Sequence, residues 1–95
     1  MAILIGADRL GNIEQLLKAR GFSKLKHISG RHSKAQGGMK VGMSNATLMI
    51  LFTDFIGHNV MHNFRKQAKA RKIPFIACRR SVGDVARSLE KFGFA

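Results

Sequence analysis

Residues 2–5, Ala-Ile-Leu-Ile, are aliphatic without interruption, the pattern of a short strand buried on both faces. A turn follows through Gly6, Ala7, Asp8, Arg9, Leu10 and Gly11. The apolar period then changes. Ile13, Leu16 and Leu17 recur at helical spacing, with Asn12 as the expected N-cap and Gly21 as the expected stop. A second strand is predicted over 25–28. Residues 46–53 form the clearest strand, apolar on both faces and therefore central. Residues 54–57 turn the chain into a helix predicted over 58–71. Pro74 opens a fourth strand over 74–78, where its missing N–H is harmless, and a last helix is predicted over about 84–92.

Residues 29–45 break this regularity. Gly30, Gly37, Gly38 and Gly42 alternate with Arg31, Lys34 and Lys40 without a period, which predicts a long mobile loop of binding or lid type. The element order is β-α-β, loop, β-α-β-α. Such alternation implies one α/β domain over 1–95, with a four-stranded parallel sheet covered on both faces. Right-handed crossovers favour strand order 2-1-3-4. Ligands of such sheets bind at the carboxyl ends of the strands where the winding reverses, here between strands one and three.

Charge narrows the ligand class. The chain carries 17 Lys and Arg against 5 Asp and Glu, a formal charge of +12 over 95 residues. That balance attracts phosphate esters, carboxylate-bearing cofactors and nucleic acid. One cysteine, Cys78, excludes an internal disulfide and agrees with a reducing compartment. The apolar run at the N-terminus is too short for a signal peptide, and no run reaches membrane-spanning length. The expectation is a soluble cytoplasmic protein without a membrane partner. A domain this small buries little core alone, so a homodimer is expected.

The most informative segment is Thr53-Asp54-Phe55-Ile56-Gly57-His58-Asn59-Val60-Met61-His62. At 100° per residue, Val60, Met61, Phe64 and Ala68 share the core face of a helix, and His58, His62, Arg65 and Lys69 share the other side. The two histidines, four apart, are neighbours there. They are candidate ligands for a metal or haem iron, or donors to an anion, with His58 the leading candidate. The H-x-x-x-H pair lacks the glutamate of a zinc-protease motif, and one cysteine does not complete a structural zinc set. Asp54 is a third ligand, a base or a turn cap. Arg9, Arg31, Arg79 and Arg80 fall at strand ends and are the candidate partners of an anionic group. Met39 and Met43 lie in the glycine-rich loop and could cover a flat apolar ligand; Met49 and Met61 read as core. Cys78 reads as an inert strand thiol. The seven phenylalanines show no stacking ladder in sequence.

Gly6-Ala7-Asp8-Arg9-Leu10-Gly11-Asn12 after the first strand, Thr53-Asp54-Phe55-Ile56-Gly57-His58-Asn59, and Ile73-Pro74-Phe75 leading to Arg79-Arg80-Ser81 together resemble a bacterial domain family of unknown function (DUF2325-like) over nearly the whole chain. The resemblance implies a small Rossmann-like, flavodoxin-like three-layer fold and puts weight on His58. It also implies haem as a candidate cofactor, since haem binding is associated with some relatives. The first functional expectation is therefore a non-enzymatic haem-binding, gas-binding domain. In it His58 or His62 is the axial ligand, and Arg9, Arg31, Arg79 and Arg80 serve the propionates. The alternative is a nucleic-acid or nucleotide-binding regulatory module. A third is an enzyme with Asp54 and His58 as an acid/base pair.

Overall fold

The structure is a computed structural model and describes residues 1–7, 9–28, 46–54 and 56–93. The Gly/Lys/Met-rich segment 29–45, and with it Arg31, Met39 and Met43, lies outside the described residues. The elements run β1 (Ala2–Ile5), α1 (Asn12–Ala19), β2 (Leu25–Ile28), β3 (Leu48–Phe52), α2 (His58–Ala70), β4 (Phe75–Cys78) and α3 (Val82–Lys91). The strands form one sheet in order β2-β1-β3-β4, and every pairing is parallel.

Alternation along the strands builds two cores, because successive side chains leave a strand on opposite faces. Ala2, Leu4, Leu48, Ile50, Phe52 and Ile76 meet Ile13 and Leu17 of α1 and Val85 and Leu89 of α3. Ile3, Ile5, Ile28, Met49 and Leu51 meet Phe64 and Ala68 of α2, with Ile73. The result is three layers: α1 and α3 on one face, α2 on the other. The central strands β1 and β3 are buried throughout.

Two helix starts differ from the sequence expectation. The cap of α1 is Gly11 rather than Asn12. Its φ of 54° and ψ of −132° suit a residue without a Cβ, so the turn closes one residue early. The last helix begins at Val82, two residues before the expected Asp84. Ser81 is its cap: the Asp84 N–H donates to Ser81 Oγ at 3.4 Å, which places Asp84 in the third helical position. Gly21 ends α1 as expected, at φ 99° with its N–H donating to the Lys18 carbonyl at 3.1 Å.

Candidate functional site

The carboxyl edge of the sheet is where the chain reverses between β1 and β3. Gly6 leaves β1 at φ 94°. A Cβ there would stand 3.1 Å from Ile56 Cγ1 and 3.2 Å from the Phe52 carbonyl oxygen. The β1–α1 and β3–α2 turns therefore touch backbone to side chain, which only glycine permits. Ala7 follows at φ 64°, a conformation rare for a residue with a side chain, and is buried. His27 secures it. Its Nε2 lies 3.0 Å from the Gly6 carbonyl oxygen and 2.8 Å from the Ala7 carbonyl oxygen. Both partners are acceptors, so Nε2 carries the proton and donates to both. Sequence reading did not single out His27, because no local pattern shows that a β2 side chain reaches across to the end of β1.

The third turn, after β4, is tied to the same place. The Arg80 N–H donates to Asp54 Oδ2 at 3.2 Å, and Arg80 Nε donates to the Arg9 carbonyl at 2.6 Å. Asp54 thus joins the β3–α2 turn to the β4–α3 turn, the structural use of an aspartate, and Arg80 lies over the β1–α1 turn beside Gly11. Of the arginines expected at this edge, Arg9 and Arg80 are brought together. Arg79 is exposed and lines a cavity of about 500 Å³ with Thr53, Cys78, Asp84 and Ser88. Burial pushes the Cys78 thiol up to about 11, outweighing the lowering contact with Ser88, so it remains an un-ionised thiol.

His58 is the first residue of α2 and is exposed, as is His62. Their rings stack at a centroid distance of 6.4 Å and an interplanar angle of 29°. The helix turns Phe64 and Ala68 fully into the core. Val60 and Met61 pack against its margin, which leaves the imidazoles on the outer side as the 3.6-residue period requires. Arg65 and Lys69 continue the same stripe and are exposed. No hydrogen bond or ion pair among the described residues links the imidazole pair to the Arg9–Arg80–Asp54 clasp. No group of three or more His, Cys, Asp or Glu among the described residues could hold a bare metal ion.

A second feature had no sequence signal. Phe75 of β4 and Phe92, just past α3, line one groove along the outer edge of the sheet. Arg65 covers the Phe75 ring, its Cζ 5.5 Å from the ring centroid. The two phenylalanines are far apart in sequence and come to line one groove because β4 is an edge strand with a helix packed on each face.

A three-layer all-parallel fold with its reversal between β1 and β3 defines a small Rossmann-like domain. Among the described residues, no helix is long and apolar enough to cross a membrane. The chain belongs to the bacterial family DUF2325, described as an uncharacterized protein conserved in bacteria, whose model matches residues 1–92. No curated protein and no solved structure matches the chain.

Proposed function

We propose that this chain is a haem-binding module, with His58 as axial ligand and His62 as its neighbour or substitute. The imidazole pair carries the reading: two exposed rings, side by side, whose one recorded ring contact is with each other. A bare ion needs three or four protein ligands, and the described residues do not assemble them. Haem brings four nitrogen donors of its own and asks the protein for one or two, which is what this donor set offers. Both histidines approach from one face of α2, so one ligates and a second axial group comes from elsewhere. Arg65 and Lys69 share the stripe and would serve the propionates, with Arg9, Arg79 and Arg80 at the carboxyl edge as the alternative cationic set. Haem held this way would supply an iron site for a small gas. The chain's own residues bind and orient, and Asp54 is occupied by the Arg80 N–H, which favours a binding role over acid/base chemistry.

The proposal includes a homodimer, which would enlarge a small core, in a reducing cytoplasm suited to one cysteine. Reconstitution with haem tests it. A Soret band that is lost or shifted in His58→Ala, with His62→Ala intermediate, is expected, along with a dimer mass by light scattering. The absence of a Soret band, or one unchanged in the double variant, rejects it.

Nucleic acid or nucleotide is the second reading. It is favoured by one observation: Arg65, Lys66, Lys69, Arg71 and Lys72 are all exposed on and just after α2, and no described carboxylate pairs with them.

A further inference from the structure

The charges of this domain are segregated between its layers. Glu14 pairs with Lys18 at 3.1 Å, Glu90 with Arg20 at 3.9 Å, and Asp84 with Arg87. All six belong to α1, α3 and their ends, on one face of the sheet. The α2 layer holds no acidic residue between His58 and Lys72. Among the described residues no carboxylate pairs with its cations, which crowd a helix of 13 residues, about 20 Å long.

These cations border the groove at the open edge of β4. One part of it, about 470 Å³, is lined by Arg65, Lys69, Lys72, Pro74, Phe75 and Phe92. The adjoining part, about 400 Å³, shares Arg65, Phe75 and Phe92 and adds Ile76, Ala77 and Lys91. No described carboxylate lines either part. Phe92 is 52% exposed, an unusual cost for a large ring in a monomer, and Phe75 is half-buried beneath the Arg65 guanidinium. Flat apolar rings interleaved with cations, and free of competing anions, are what a single-stranded nucleic acid requires. Its bases stack on rings whose π-faces accept any base, and its phosphates track the positive lip.

We propose that this groove binds single-stranded nucleic acid. Phe92 stacks a base, the Arg65 guanidinium lying over Phe75 offers a second flat surface, and Arg65, Lys69, Lys72 and Lys91 hold the phosphates. The proposal rests on the second reading above and gives it a surface. An acidic peptide added to the β4 edge would use the same cations and the edge backbone but would not need Phe92. A second copy of the chain would bring like charges against each other.

Fluorescence anisotropy with a labelled oligothymidine and with a duplex of equal length, across a salt series and with or without added haem, tests this. The single strand is expected to bind more tightly than the duplex. The slope of log affinity against log salt should be about −3, from four phosphate contacts at ~0.7 each. Phe92→Ala should weaken single-strand binding by about five- to a hundredfold while leaving the slope unchanged; Phe92→Trp should retain it. Lys69→Gln and Lys72→Gln should each flatten the slope by ~0.7. Equal affinity for duplex, or indifference to Phe92→Ala, overturns the groove. If the chain still elutes from heparin only at raised salt, the polyanion reading survives that result; elution at low salt ends both. Competition by polyglutamate that is insensitive to Phe92→Ala, or concentration-dependent self-association abolished by it, overturns the proposal in favour of a peptide or a second copy.

Discussion

The switch point between β1 and β3 depends on Gly6, and three glycine-to-alanine substitutions separate the reasons. Gly57→Ala is the reference. Its φ is −74° and nothing lies within 4 Å of an added Cβ. The lower entropy of the unfolded alanine chain stabilises by ~0.4–1 kcal/mol, and loss of a favourable N-cap costs about as much. A net change within about 0.5 kcal/mol of zero is expected. Gly21→Ala adds backbone strain alone: φ is 99° with open space around the Cβ. A side chain in that region costs roughly 1–2 kcal/mol, less the same entropy gain, so about 0–1.5 kcal/mol of destabilisation follows. Gly6→Ala combines a φ of 94° with contacts of 3.1 Å to Ile56 Cγ1 and 3.2 Å to the Phe52 carbonyl. The carbonyl belongs to a fully buried strand and cannot yield. Forcing an extra methyl into packed surroundings costs ~1–3 kcal/mol beyond the net strain of Gly21→Ala, for a total of about 1–4.5 kcal/mol.

Urea unfolding followed by circular dichroism reads these differences from the midpoint at constant slope. The expected order of stability is Gly57→Ala, then Gly21→Ala, then Gly6→Ala, with a clear gap at the last step. If Gly6→Ala and Gly21→Ala agree within about 0.5 kcal/mol, the close approach of the two turns is not what fixes glycine there, and the tight switch point is wrong. A domain of this size has roughly 5–15 kcal/mol in all, so the predicted loss is large enough to measure and small enough to leave a folded protein.

Two further outcomes follow from the same edge. His27→Phe removes the donor shared by the Gly6 and Ala7 carbonyls and should cost about 1–2 kcal/mol; faster amide exchange confined to the β1–α1 turn would mark the loop as the part released, and unchanged exchange would refute the brace. Cys78, held at about 11 by burial, should resist alkylation at neutral pH. The folded thiol keeps its proton where the unfolded thiol loses it, so this group's contribution to stability is complete below pH 9 and is lost as pH rises through about 11. A Cys78→Ala variant that loses stability over the same alkaline window to the same extent would exclude the thiol as the cause.

The strands were legible because burial on both faces leaves an unmistakable apolar run at 2–5 and 48–52, inside the wider run expected over 46–53, and the alternation of periods set the sheet order. The helix of His58 and His62 was legible for a related reason: Phe64 and Ala68 anchor its inner face, which forces the imidazoles outward. Helix starts were less so. Ser81 caps through a side-chain hydrogen bond three residues ahead of the first obvious signal at Asp84, and Gly11 displaces Asn12 by a backbone angle that no residue pattern displays. The site's cross-links were not legible at all. His27 reaching Gly6, Arg80 reaching Arg9, and Phe75 and Phe92 lining one groove each join segments remote in sequence, and each exists only after the sheet has been wound.

The segregation of charge bears on both proposed ligands. Crowding Arg65, Lys66, Lys69, Arg71 and Lys72 on and beside one helix, with no described carboxylate within pairing distance, raises the free energy of the compact state through self-repulsion. Any polyanion relieves part of that repulsion, so stabilisation by heparin or by salt cannot tell one ligand from another. What discriminates is the uncharged chemistry around the cations. Haem would engage the His58–His62 pair through its iron, and a nucleic-acid strand would engage Phe92 through its bases. Because Arg65 and Lys69 belong both to the histidine stripe and to the groove wall, haem and a nucleic-acid strand would draw on the same two charges. Occupancy of one site then weakens the other by a common factor in both directions, since coupling between two binding equilibria is reciprocal.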